Sequence, residues 1–176
     1  MNRKDTKIRT FILAAVAAAI LAGFAFSDNV IIPVAGASGK DWNRQTFWSY
    51  PWGASGVHKG IDIFASEGTA IISASPGIVV YIGHLSLGGN VIAVLDSRWR
   101  IHYYAHLKTA SVMSWSYVRR GQPIGAVGAT GNAKGKPPHL HYAVITTLPY
   151  VWKLDRGRQG WKKIFFLNPA ELLTKA

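Results

Sequence analysis

The chain has no cysteine among its 176 residues, which excludes a disulfide framework, a thiolate metal site and a cysteine nucleophile. Any transition metal must then be held by histidine and carboxylate groups, so the six histidines are the residues to follow. Acidic residues are also scarce: eight Asp and Glu against twenty Lys and Arg give a net charge of +12. That excess fits attraction to nucleic acid, anionic lipid or an anionic wall polymer, and equally fits solubility alone, because no dense Lys/Arg run is present. The sequence has no H-E-x-x-H stretch, so a helix-borne glutamate base of the thermolysin kind is excluded. No repeat of solenoid length occurs, and helical periodicity is weak beyond the first segment.

The N-terminus carries a targeting signal. The basic stretch MNRKDTKIR precedes an apolar run from Thr10 to Phe26. Its length of roughly 17 residues lies between a signal-peptide core and a full membrane span, so a cleaved signal and an uncleaved anchor both fit. Either one exports the remainder of the chain, to the periplasm or cell envelope, because positive charge ahead of an apolar segment stays inside. Residues 1–27 are therefore expected to be a signal peptide or signal anchor, with membrane contact if uncleaved. Residues 28–56, with Pro33, Pro51 and aromatics including Trp42, Trp48 and Trp52, read as a lead-in merging into the first strands, and residues 57–176 as one domain.

Within that domain, β-rich runs at Ala70 to Ser73, Ile78 to Ile82, Val91 to Leu95 and Ile101 to Ala105 are separated by Gly, Pro and Ser turns. The spacing predicts an all-β domain, a small antiparallel sheet of sandwich or barrel type. Asn168-Pro169 ahead of Ala170-Glu171-Leu172-Leu173 predicts one short terminal helix with Asn as cap and Pro at its first position.

Three histidine-bearing stretches carry candidate chemistry: His58-Lys59-Gly60-Ile61-Asp62, Tyr104-Ala105-His106-Leu107 and Pro138-His139-Leu140-His141. On a strand, His139 and His141 project from one face about 7 Å apart, so one can bind a metal while the other reaches a water on it. His58 and Asp62 can converge on the same metal around Gly60. A His, Asp, His set leaves a fourth tetrahedral position for water, the open geometry of catalytic zinc. Taken singly, a His-x-His pair or a His-x-x-x-Asp pair is more often a solvated strand face or a surface pair; the combination is far more specific.

With these residues in view, the chain resembles the lysostaphin-type, or LytM-like, zinc endopeptidases of bacterial cell walls. The matching text runs in the family's order from about Pro33 to Pro169: HKGIDIFASEGTAI, GGNVIAVLD, YYAHL, RGQPIGAVGATGNAKGKPPHLHYAV and FLNPAELL. The resemblance implies an open groove on a small antiparallel fold, Zn2+ held by His58, Asp62 and His141, and a catalytic pair His106 and His139. It implies peptidoglycan peptides as substrate, and a non-catalytic wall-hydrolase activator as the alternative; a nucleic-acid partner, the reading the positive charge offers, is argued against by export and by the absence of an RNA- or DNA-binding motif. The chain departs from the family at Tyr142 and Ala143 after the second histidine and at Tyr50-Pro51-Trp52-Gly53 in the lead-in. His84 and His102 have no family counterpart. Because His102 and His106 share strand parity, His102 is set aside on the resemblance and not on geometry. Trp115, Trp152 and Trp161 are expected to be buried or interface aromatics, and the stretch from Thr146 to Lys163 to be where substrate choice varies.

Overall fold

The computed structural model describes residues 3–26 and 29–174; the boundary expected between residues 27 and 28 lies outside them. Helix α1 (Arg3–Ala25) contains a stretch, Asp5–Ala25, long and apolar enough to cross a membrane, and it is almost wholly exposed. The body beyond it is one antiparallel nine-stranded sheet. Its strands are β1 (Ile61–Phe64), β2 (Ala70–Ile72), β3 (Gly77–Leu85), β4 (Gly89–Asp96), β5 (Arg100–Ala110), β6 (Tyr117–Val118), β7 (Pro123–Val127), β8 (His139–Thr146) and β9 (Phe166–Leu167). The main order is β1-β8-β5-β4-β3-β6, with β7 bridging β5 to β2 and β9 on β8. Helix α2 (Pro169–Leu173) closes the chain, and the Asn168 side chain accepts a hydrogen bond from the Ala170 amide as its cap.

Strand alternation separates core from site. Ile61 and Ile63 of β1, Tyr104 of β5, and Leu140, Tyr142 and Val144 of β8 point into the hydrophobic core. Their neighbours Asp62 and Phe64, Tyr103 and Ala105, and His139, His141, Ala143 and Ile145 line a groove on the opposite face. A one-residue slip in any of these strands would exchange the two sets, so burial of the apolar set fixes which polar set faces the groove.

The lead-in is part of the domain. Residues 29–56 form no strand, only two 3₁₀ turns (Arg44–Thr46 and Gly53–Ser55) and two isolated bridges, Val34 to Ile71 and Trp52 to Gly56. Val30, Val34 and Trp42 are nevertheless buried in the main core. The sequence predicts short β structure here; backbone bonds such as Ile31 N to Ala74 O and Ala35 N to Ala70 O instead hold the segment singly along β2.

Candidate functional site

The groove, about 710 Å³ in volume, runs over β1, β8 and β5. Its floor is set by register: Asp62 stands opposite His141, Phe64 opposite His139, and Ala105 opposite His141 on the other side. Pairing directly opposite places Cβ atoms only about 5 Å apart, so Asp62 and His141 meet without further help. The small Ala105 leaves room above the strand for the rings.

Three donor atoms converge there. His58 Nε2 lies 3.1 Å from Asp62 Oδ1 and 3.1 Å from His141 Nδ1, and His141 Nδ1 lies 2.8 Å from Asp62 Oδ1. Two donors each about 2.05 Å from a tetrahedral metal are about 3.3 Å apart, so this triangle is close to one face of such a polyhedron. His58, Asp62 and His141 thus form a possible metal site, and their two-nitrogen, one-oxygen donor set suits a borderline ion. His58 Nδ1 faces the Thr46 carbonyl at 3.1 Å, which holds that nitrogen protonated and leaves the Nε2 lone pair free to ligate. Burial would raise the Asp62 carboxyl, but hydrogen bonds from His141 and His58 and their charge hold it well below the usual carboxylate range. Burial likewise pulls the His141 imidazole below its ordinary value, against the pull of Asp62, so the neutral form that binds metal is favoured.

His106 and His139 stand beside this triangle. Their rings are 5.0 Å apart, and the His106 ring is 5.9 Å from that of His141. Each has Nδ1 against a backbone carbonyl, His106 on Thr130 O at 2.9 Å and His139 on Pro137 O at 2.8 Å, so each presents Nε2 as the free nitrogen. Burial, reinforced by the neighbouring His141 and His139, lowers His106 to about 4, which keeps it neutral.

His106 reaches the groove by breaking strand alternation. Between Tyr104 and Leu107 of β5 there are three steps where β4 has two, from Ile92 to Asn90, and His106 adopts φ 66°. This bulge inserts one residue and reverses the facing of the residues after it. Parity therefore does not link His102 to His106. His102 points into the protein, fully buried, with Nδ1 2.6 Å from the Tyr142 hydroxyl and Nε2 3.0 Å from Asp96 Oδ2. His84 sits away from the groove, 3.1 Å from Asn90 Oδ1.

Sequence reasoning did not single out the lead-in as the support of His58. Trp48 N donates to His58 O at 2.6 Å, His58 N donates to Ser49 O at 3.1 Å, and the Trp52 ring stacks on the His58 ring at 4.0 Å and 13°. The signal was the aromatic cluster ahead of His58, unreadable without its fold. The stretch 146–163 forms the wall behind this support: the Trp48 indole donates to Arg158 O and Gln159 Nε2 to Ser55 O. Trp115, Trp152 and Trp161 do not line the groove; of the two expectations for them burial fails, since all three are exposed on turns outside the sheet.

Comparison with known proteins identifies the family of the chain. Residues 56–151 match the model of peptidase family M23. The chain is 34% identical over 130 residues to the L-Ala--D-Glu endopeptidase of Bacillus subtilis, covering 69% of this chain and 37% of that protein. It is 39% identical over 95 residues to the murein hydrolase activator NlpD of Escherichia coli, covering 53% of this chain and 24% of the relative. The match thus spans well under half the length of these relatives. Among solved structures, the catalytic domain of lysostaphin from Staphylococcus simulans superposes with a TM-score of 0.56 at 29% identity, over 71% of this chain and 86% of that one. The match over more than half of the chain, on a lysostaphin-like antiparallel fold, makes this protein a member of peptidase family M23.

Proposed function

We propose that the chain is a zinc-dependent endopeptidase that hydrolyses peptide bonds of bacterial peptidoglycan. The observation that carries this reading is the 2.8 to 3.1 Å triangle of His58, Asp62 and His141 donor atoms with two further histidines beside it. His58, Asp62 and His141 would hold the ion. Zinc bound there supplies a Lewis acid for the scissile carbonyl and lowers the pKa of water toward neutrality. His106 and His139, with Nε2 free and Nδ1 tied to carbonyls, orient the attacking water and take up its proton, and the imidazole protonated in this way then donates a hydrogen bond to the developing oxyanion. Phe64, Ile145 and Phe166 give the groove apolar walls that exclude bulk water around a bound peptide. Lys59 and Lys136 at its mouth favour a substrate carrying carboxylates.

A peptidoglycan peptide as substrate is supported by the relatives' names, which describe an L-Ala--D-Glu endopeptidase and a peptidoglycan DD-endopeptidase. Residues 1–27 would export the domain and anchor it if uncleaved, residues 28–56 brace His58, and residues 57–176 form the peptidase body. A second reading, a non-catalytic activator of other wall hydrolases, is favoured by the likeness to murein hydrolase activator NlpD. Incubating the purified protein with isolated sacculi separates the two. Release of peptide fragments, identified by mass spectrometry, abolished by chelation and restored by zinc, is the expected result; no release under any metal condition leaves the activator reading.

A further inference from the structure

Sharing no residue with the groove, a second pocket of about 460 Å³ lies where α1 meets the body. Arg98, Arg100, Arg119 and Arg120 line it with Asp96, and the Arg100 guanidinium is already paired with Asp96 at 2.7 Å. Among the described residues no carboxylate pairs with Arg98, Arg119 or Arg120. Gly77 pairs with Val118 on one side and Asp96 on the other, so the Arg98 turn and the Arg119-Arg120 pair share one end of the sheet. That end is the one next to the helix. Arg98 donates to the Phe24 and Phe26 carbonyls, and Arg120 Nη1 donates to Asn29 O at 3.3 Å. The Trp99 indole donates to Ile20 O at 3.3 Å, beside Gly23, where a side chain would strike the indole.

The depth is informative. If the apolar helix spans a bilayer over Asp5–Ala25, its end lies at the hydrocarbon boundary, and the arginines that bond the Phe24, Phe26 and Asn29 carbonyls stand level with the adjoining headgroup layer. Tyr117 and Trp115, two and four residues before Arg119, are 60% and 75% exposed. Aromatic rings of this kind are favoured at the membrane interface, and clustered arginines at anionic lipid surfaces.

We propose that the face formed by Arg98, Arg119 and Arg120, flanked by Trp115 and Tyr117, docks the domain onto the anionic phospholipid surface from which α1 emerges. This rests on the anchoring role of α1 and holds whichever wall bond is cut. Docking would pin the body at the membrane beside the helix end and fix the direction in which the groove faces.

The test uses the full chain reconstituted in nanodiscs of phosphatidylcholine alone or with one-quarter phosphatidylglycerol, followed by hydrogen exchange with mass spectrometry. Segments 97–100 and 113–121 should exchange more slowly in the anionic discs. Arg119→Gln with Arg120→Gln should remove that protection, by on the order of fivefold per arginine, while cleavage of soluble wall peptides stays unchanged. Equal exchange in the two lipids, or protection insensitive to the double substitution, overturns the docking. Failure of the chain to enter discs, with α1 unprotected, overturns it through the anchor instead, and loss of peptide cleavage by the wild-type chain would touch only the peptidase reading.

Discussion

Gly60 lies directly under the His141 ring. A Cβ placed on Gly60 would stand 2.4 Å from the Tyr142 carbonyl oxygen and 3.0 Å from His141 Nε2 and Cε1. The space left by one absent methyl group is what lets β1 close on β8 with His141 turned toward Asp62. Gly60→Ala should therefore shift the strand pairing and weaken metal binding by tenfold or more, with about 1 to 3 kcal/mol lost in stability. Zinc titration and chemical denaturation check both parts; an unchanged affinity would mean that the contact relaxes without moving His141.

The two histidines of β8 should behave differently. His141→Ala should lose metal and peptide cleavage together, since it removes one of three donor atoms. His139→Ala should retain near-stoichiometric zinc yet lose on the order of 10² to 10⁴ in turnover, the scale of a positioned proton-transfer or charge-stabilising group. Metal analysis with a cleavage assay on folded variants decides it, and the reverse pattern would exchange the two roles.

His106 combines a chemical and a conformational demand. At φ 66°, Asn is tolerated and a β-branched residue is strained. His106→Asn should thus keep fold and metal while losing turnover, whereas His106→Val should also lose about 1 to 2 kcal/mol of stability. Thermal unfolding of the two variants side by side measures the difference.

Trp52 contributes through contact with a ligand. Trp52→Ala removes the ring stacked on His58 but leaves the Thr46 and Ser49 hydrogen bonds. Metal affinity should fall by roughly 10- to 100-fold, as expected when support of a ligating histidine is lost. Zinc competition with a chelating dye reads this directly, and Trp52→Phe should recover most of it.

A pH effect arises from the buried Asp96. Burial would raise its carboxyl, but hydrogen bonding and charge from His102 and then Arg100 bring it down to about 2. The folded value lies below the unfolded one, so the stabilisation is complete above about pH 4 and is lost as pH falls through 2. The metal-free protein should lose about 2 kcal/mol to this group over that window. Asp96→Asn should flatten this part of the stability profile, as measured by urea unfolding at stepped pH; an equal slope in both proteins would place the acid sensitivity elsewhere.

Local pattern accounts for much of the fold that is legible in the sequence. β-rich runs bounded by turn residues predict the strands around Ile78, Val91 and Ile101, and a cap followed by proline predicts the helix after Asn168, because these signals act over a few residues. Alternation likewise predicts His139 and His141 on one face, and they share the groove face of β8. The same rule misleads at His106, because a single positive φ inserts a residue and reverses the facing, and no histidine-centred pattern announces it.

By itself the sequence determined the chemistry on offer: no thiol, a His and Asp donor set, a basic surface and an apolar first segment. Only the tertiary structure decided which groups meet. His58 and His141 are 83 positions apart and come within 3.1 Å because β1 pairs with β8 in one register. His102 is excluded by its burial with Asp96 and Tyr142, and the lead-in becomes part of the site because Trp52 lies on His58. Such contacts depend on sheet register and closure, which are set by burying the whole apolar face at once and so cannot be read from any short window of residues.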